Sequence, residues 1–580
     1  MATGNPFAQA FLKNAEKLEK LGLVVQEPEV DDRWQTDEKR VPMMYRAQVR
    51  ERCSLNKPER KKSGDKDHLQ MWTEEWINPD PNGEAKYQRS KPQMGQVGNI
   101  YRVEVEFPFR LFSNGGQDSI MRPMLGMDGI PFLPGSSVKG LFLRACSEKQ
   151  GERFCGRKAE EGKMQHLPGS VPLRFHGAYP LGNWAERVVD LVHPQGNRQI
   201  GTGNGEEGAS ASALISLYQP KMVFEFSCEN KAVDWKEVKN ILLGAIQLGV
   251  GGKTSSGYGM GGNFPGNPLI HPKAAIAAEF KAKGVSSLLR DGSPEFRPNA
   301  FKAGLRGHLR RLLSGVSNQD SEVKAVVERW FGHQKAPAAV SLFWEMPKQA
   351  VFEDLGKKDR NPTYSVQGTL YADIARKADG EAQYRRDAAL LKDLVMFAYV
   401  MGGFGKSWRR VWHEQFLPDY HKKKFAIGCH WFSPDLDGIQ TVGQLSQFLE
   451  GLYRRCYEFL GKTERSVGSM SWREAWHPKR VAVFCRLGKE SKAVSLFHDD
   501  AFKTTPAIGG RSPGDDRPTG ISSVWHRMLP LKNGTEFLEI VTVFYGDRRP
   551  WLREKVDQLP VFVKQLKDNE FKVIWGKEPI

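Results

Sequence analysis

Apolar and polar positions along this chain repeat with two periods. Alternation marks a strand over YRVEVEFPFRLF (Tyr101–Phe112), and shorter apolar runs mark strands over Ala274–Lys281, Phe425–Phe432, Arg480–Leu487 and Phe537–Tyr545. Helical spacing marks Asp234–Leu248, where Val238, Ile241, Leu242, Ala245 and Ile246 share one face, and also Asp387–Met401, Val442–Leu460 and Leu552–Asp568. An apolar run at Ile130–Leu133 meets Pro134 and Gly135. Ser136 and Ser137 then open a helix beginning VKGLFLRAC, with a serine hydroxyl expected to cap an orphan backbone N–H of the first turn. Pro6–Leu23 reads as an amphipathic helix with Phe7, Phe11, Leu12, Ala15, Leu18 and Leu21 along one side. The mixture predicts an α+β chain.

Two segments are repeated in the same order. The first copy has the stretch Gly115–Arg144, in which a polar loop carries Asp118 and the following helix carries Lys139 and Arg144 near its start. Much later the helix Asp234–Leu248 runs directly into GVGGKTSSGYGMGG (Gly249–Gly262). A glycine-dense loop lets backbone N–H groups approach a phosphate chain. Gly251, Gly252, Lys253, Thr254, Ser255 and Ser256 supply the donors here, and Tyr258 a stacking face. A nucleotide-binding P-loop is excluded, because Gln247 stands where its first glycine belongs and a helix, not a strand, precedes the loop. The second copy has Ser286–Gly315, with Asp291 in the polar loop and Lys302, Gly304, Arg306, Arg310 and Arg311 on the helix. Its glycine-rich counterpart is GGFGKSWRRVW (Gly402–Trp412), with Lys406, Arg409 and Arg410 as charges and Phe404, Trp408 and Trp412 as stacking faces.

A length of 580 residues predicts several domains, and 39% hydrophobic with 26% charged residues suits a folded protein with real cores. The net charge of +17 predicts an anionic partner, most simply nucleic acid. Seven scattered cysteines predict reduced thiols. The start, MATGNPFAQAFLKNAEKLEK, has no apolar signal core and no run reaches the length of a membrane span, which predicts a cytoplasmic protein. Asp37–His68 is dense in charge and reads as an arm able to track a phosphate backbone. Glu148–Ala213 reads as an inserted excursion. Its Cys155, His166 and His176 are spaced too irregularly for a structural zinc signature. The paired Asp515 and Asp516 sit among Pro and Arg without the apolar flanks of a catalytic hairpin, although Arg511, Arg517, His526 and Arg527 around them suit a surface facing nucleic acid. The alternation after Phe416 fits completion of a ferredoxin-like βαββαβ unit.

FLPGSSVKGLFLR, followed later by a helix and GVGGKTSSGYG, resembles the RAMP superfamily of CRISPR–Cas proteins. There an IPGSSLKG-x-x-R-like segment and a GxGxKxxxGYG-type loop recur in that order. The resemblance covers Gly98–Val411 through four short windows. It implies tandem ferredoxin-like, or RRM-like, RAMP domains with inserted thumb-like loops. Residues 1–97 would be the helix and arm, 98–262 the first domain, 263–273 a linker, 274–415 the start of the second domain, and 416–580 its completion. Thumb wedges would come from Met164, Leu167, Phe175 and Tyr179, with Asp354–Asp373 as the second thumb. The implied partners are a CRISPR guide RNA, complementary target RNA, other RAMP subunits and a large signature subunit of a type III complex. Two fused backbone domains look like the type III-D variants. In target-cleaving members the catalytic Asp lies in a D-[SN]-P-[VI]-like context before the PGSS-type segment. Asp118-Ser119-Ile120 matches it with Ile120 in place of Pro; Asp128 ranks second, and Asp291 is the looser counterpart in the second copy. Asp118 would hold Mg²⁺ or Mn²⁺ while the RNA 2′-OH attacks. No His–His or Lys–His pair suits a metal-free ribonuclease. A non-catalytic capping subunit, a guide-processing ribonuclease and a generic RRM-type RNA-binding protein are the alternatives.

Overall fold

The computed structural model describes residues 91–117, 120–125, 130–158, 164–165, 170–182, 184, 187–192, 212–261, 274–288, 293–333, 336–353, 362–375, 380–417, 426–508 and 522–579. The expected N-terminal helix and arm, Asp118, Asp128, Asp291, His166, Leu167, Asp515 and Asp516 all lie outside these residues. The chain is mixed α+β, with several antiparallel sheets.

The first sheet has the order β1 (Gly95–Val97), β2 (Ile100–Glu106), β4 (Lys221–Ser227), β3 (Arg174–Pro180). Helices α1 (Gly135–Ala145) and α3 (Trp235–Gln247) pack with it, and α2 (Glu148–Cys155) follows α1 behind a Ser147–Gln150 capping box. Alternation works as expected: Val103 and Val105 of β2 and Met222, Phe224 and Phe226 of β4 are buried against Phe142 of α1 and Ile246 of α3. The Asp234 carboxylate accepts the N–H groups of Lys236 (2.9 Å) and Glu237 (3.2 Å) and so fixes the start of α3.

The second sheet is built from β5 (Ile276–Val285), β6 (Val340–Glu345), β8 (Thr363–Ile374) and β9 (Cys429–Phe432), in the order β6-β8-β5-β9, with β7 (Val351–Glu353) also paired to β8. Between these strands run α4 (Asn299–Ser314), α5 (Asp320–Phe331) and α6 (Glu381–Met401). Helix α7 (Val442–Phe459) then leads to a third sheet. This contains β10 (Val481–Gly488), β11 (Val524–Pro530), β12 (Phe537–Phe544) and β13 (Lys572–Trp575), in the order β11-β12-β10-β13, with α8 (Ala493–His498) and α9 (Leu559–Asp568) between strands. In both of these sheets the strands follow the order second, third, first, fourth. In the first sheet the fourth position is filled by β1, which precedes β2 in the chain. One hydrophobic core runs continuously from the second sheet into the third, through Phe280, Leu309, Leu394, Trp431, Trp476 and Ile540.

Several expectations are corrected. The region read as an excursion contributes β3: Phe175 packs on Phe142 and Phe226, and the Tyr179 hydroxyl donates to Glu225 at 2.7 Å, so both rings belong to the sheet rather than to a wedge. Most of the segment read as a second thumb is the twelve-residue strand β8, whose alternate side chains are buried. Leu552–Asp568 is not one helix. Leu552–Arg553 and Val556–Asp557 pair as a hairpin around Glu554 and Lys555, which have positive φ, and Pro560 then sits in the first turn of α9. His526 and Arg527 do not face outward but lie buried in β11. Among the described residues no helix is long and apolar enough to cross a membrane.

Candidate nucleic-acid interface

The helix expected to begin at Val138 behind a serine cap starts three residues earlier, at Gly135. Pro134 is at the cap with no side-chain bond, and Ser136 and Ser137 are exposed in the first turn. The cause is close packing. Leu133 and Ala178 exchange backbone hydrogen bonds of 2.7 and 3.0 Å, and a Cβ on Gly135 would stand 1.9 Å from the Phe175 carbonyl oxygen. Upstream, Asn114–Gln117 and Ile120–Pro123 pair as antiparallel strands, where the sequence suggested a loop.

The two motif segments of the first unit meet. Arg144 Nη2 donates to the Gly249 carbonyl at 3.0 Å, which ties α1 to the glycine-rich loop, while Lys139 Nζ donates to the Cys155 carbonyl at 3.1 Å. The glycines have a different cause from the one expected. Gly251 has φ +73°, and a Cβ there would lie 2.2 Å from the Phe112 carbonyl oxygen; the next residue, Gly252, donates its N–H to that same oxygen at 2.7 Å. The loop thus wraps its own chain closely. Tyr258 is buried edge-on to Phe112, so it is closed to a base. Lys253 Nζ lies 4.7 Å from the Phe112 ring centroid.

Thr254–Ser256 form a short 3₁₀ turn, which rests on the second unit. A Cβ on Gly257 would meet Pro298 Cβ at 3.2 Å and the Leu342 carbonyl oxygen at 3.4 Å. From α4, Lys302 Nζ reaches across and donates to Ser255 Oγ at 2.7 Å. Lys302, Arg306 and Arg310 are spaced four residues apart and so form a row on one face of α4. Each is half-buried. Burial, and after it Arg306, pushes the Lys302 ammonium down to about 8, and burial followed by Arg310 lowers Arg306 as well. Arg310 also pairs with Asp320 at 3.3 Å. This row beside the turn is a partly desolvated line of positive charge, balanced in part by Asp320 at Arg310 and by Glu328 near Arg306, and it is suited to an extended anion.

The second glycine-rich loop departs further from expectation. Phe404 and Trp412 are buried, and Trp408 packs on His308 and Trp525, with ring centroids 4.8 Å apart in both contacts. Arg409 and Arg311 both pair with Glu474, which is fully buried. Burial raises the Glu474 carboxyl, but Arg409 and Arg311 outweigh that and hold it below its ordinary value. Arg410 donates to the carbonyls of Val524 (2.6 Å) and Ile508 (2.7 Å) and to Ser522 Oγ (2.7 Å), and burial pushes its guanidinium down to about 10. Arg409, Arg410 and Trp408 therefore brace the third sheet rather than reach for a ligand. Lys406 remains exposed. Of the three residues too irregularly spaced for a zinc signature, Cys155 is buried in the first core and His176 Nε2 meets Ser227 Oγ at 2.7 Å. Among the described residues no three His, Cys, Asp or Glu side chains gather as a metal site.

Sequence reasoning missed Arg110. Its guanidinium is fully buried, with Nε on Glu295 at 2.6 Å and Nη1 on Ser216 Oγ and the Arg187 carbonyl at 3.0 Å each. The signal was available: a lone Arg inside FPFRLF must find a buried partner.

No protein-family model and no curated protein matches the chain. Solved structures that it matches include Cmr1 from Pyrococcus furiosus in its apo form (13% identity, TM-score 0.33, 52% of this chain and 99% of that chain), a chain of the type III-B Cmr-beta complex bound to cognate target RNA (19%, 0.22, 28% and 57%), and a chain of a type IV-B CRISPR complex (13%, 0.19, 29% and 96%). TM-scores at this level decide neither fold nor function.

Proposed function

We propose that this chain is a tandem RAMP protein, a guide-RNA-binding subunit of a type III-like CRISPR effector complex. The observation that carries the reading is the row Lys302–Arg306–Arg310, set against the first glycine-rich loop through Lys302 and Ser255. A ribose–phosphate backbone is the extended anion that relieves this row, and the four sequence windows place the same elements in the order of the RAMP motifs. The second-third-first-fourth strand order supports ferredoxin-like units for the second and third sheets, and β1 stands in for the fourth strand of the first. The domains on this reading are 98–262, a second from 274 that takes β9 from beyond residue 416, and a third over Val481–Trp575.

In the complex, guide–target pairing selects the sequence and the protein reads shape and backbone. On this reading Asp118 would hold Mg²⁺ or Mn²⁺, with Asp291 its counterpart in the second unit, and the metal would supply stabilisation of the charge that builds on the phosphate oxygens. The test is cleavage of end-labelled complementary RNA by the reconstituted complex with guide RNA and Mg²⁺, comparing wild type, Asp118→Ala, Asp291→Ala and the double variant. Loss of one discrete product in Asp118→Ala, with target binding intact, supports a nuclease site. An unchanged pattern in all variants removes catalysis from the reading and leaves a structural subunit that binds RNA.

A further inference from the structure

A cavity of about 170 Å³ lies between the first and second units. The first unit contributes Arg187, Tyr218 and Gln219 to its wall, and the second contributes Glu295, Gln349 and Phe352. We infer that this cavity is a binding pocket for one nucleobase bearing an exocyclic amine. The inference rests on the RNA-binding reading above.

Size comes first. The volume admits a single planar ring system and leaves its sugar and phosphate outside. Electrostatics then narrows the chemistry. Glu295 is buried, and each of its oxygens is already held by a cation: Oε1 by Arg110 Nε at 2.6 Å and Oε2 by Arg297 Nε at 2.7 Å. A carboxylate oxygen accepts more than one hydrogen bond, so a neutral N–H₂ donor can still be received. Among the lining side chains Glu295 offers a ligand an acceptor, and an N–H₂ group on a neutral ring matches it, while the guanidiniums of Arg110 and Arg297 on the same carboxylate disfavour a lysine or arginine side chain.

The other walls agree. Tyr218 and Phe352 offer aromatic surface, and Gln219 and Gln349 each offer a donor and an acceptor for a base edge. The Tyr218 phenol, protonated at neutral pH even at its ordinary value, is raised further by burial and next by Glu295, and its hydroxyl is hydrogen-bonded to Arg187. Arg187 lies over the Tyr218 ring, 5.5 Å from its centroid, and is exposed, which puts its charge where an attached phosphate would leave the cavity. Arg110 Nη2 is buried without a hydrogen-bond partner behind this wall, with Cζ 5.2 Å from the Tyr218 centroid.

The test uses the purified full chain in metal-free buffer. Its affinity is measured for short oligoadenylate, oligocytidylate and oligouridylate, and for a fully abasic oligomer of the same length. The comparison is with Gln349→Trp, which fills the cavity from an exposed position and spares the fold, and with Tyr218→Leu. Wild type is expected to bind intact oligoadenylate and oligocytidylate about tenfold tighter than the abasic oligomer, with oligouridylate weaker than either. Gln349→Trp should erase that advantage and leave affinity for the abasic oligomer unchanged. Competition by adenosine monophosphate separates the two sources of a base: competition only at concentrations far above those of the oligomer assigns the pocket to RNA, and equal potency assigns it to a free nucleotide. A base advantage that survives in Gln349→Trp overturns the pocket while RNA binding stands. A wild-type chain that binds no oligomer overturns both.

Discussion

Raising the pH past about 8 will weaken RNA binding, and Lys302 will be the cause. In the free protein burial and Arg306 push this ammonium from 10.5 to about 8. A phosphate seated beside it favours the charged form and returns the pKa toward its ordinary value. Binding therefore takes up a proton once the pH exceeds about 8, and affinity falls as pH rises through that value, by at most about tenfold per pH unit. Below about pH 8 lysine is charged in both states and its contribution is flat. Because the side chain is partly solvated, only part of the shift is expected to be recovered. Restoring the pKa to about 9 gives a loss of roughly sevenfold by about pH 9.5, and complete restoration gives roughly 25-fold. The assay is fluorescence anisotropy of labelled oligoadenylate, chosen because adenine does not titrate in this range, without divalent metal. Lys302→Met keeps much of the apolar stem and should bind more weakly at pH 7, with an almost level pH profile. A wild-type affinity that stays constant to pH 9.5, or a Lys302→Met profile as steep as wild type, refutes the reasoning.

The buried braces give further predictions. Arg410→Ala leaves the Val524 and Ile508 carbonyls and Ser522 without their buried donor and should cost about 3 kcal/mol, read as a lowered melting temperature of the full chain. Glu474→Gln strips the carboxylate from between Arg311 and Arg409 and should cost about 3–5 kcal/mol by the same readout, with Glu474→Asp partly rescuing it. Gly251→Ala combines positive φ with a Cβ driven against the Phe112 carbonyl; it should cost about 2 kcal/mol and weaken RNA binding more than Gly140→Ala, where space is open.

The parts of this molecule that obey one period were legible. Helix α3 was readable because Asp234 caps it and its apolar face repeats every three or four residues. The glycine-rich loops were found in the right places for an incomplete reason, since Gly251 and Gly259 are forced by carbonyls of their own chain, at Phe112 and Val250. Tyr258, Phe404 and Trp412 look like stacking platforms in a linear sequence, yet a loop that closes a junction between sheets buries its aromatics. Nothing in composition separates the two cases. Strand β11 was missed because VWHRMLP carries His526 and Arg527 on a fully buried strand. Their partners, Glu539 and the Trp431 carbonyl, come from elsewhere in the chain. The basic row on α4 was legible as charge, but its contact with Ser255, 47 residues earlier in the chain, was not.

That contact bears on the order in which the protein is made. The turn Thr254–Ser256 is completed by Lys302, Pro298 and Leu342, all synthesised after it. The first unit leaves the ribosome with its own core sequence complete, and with the loop held at Phe112 and Arg144, but with the 254–256 turn still lacking the support of the second unit. Only when α4 and β6 have emerged and folded does the loop gain its support. A nascent chain thus acquires its anion-ready surface late, as a product of two units meeting, and a gene split between them would yield two pieces that each lack half of it.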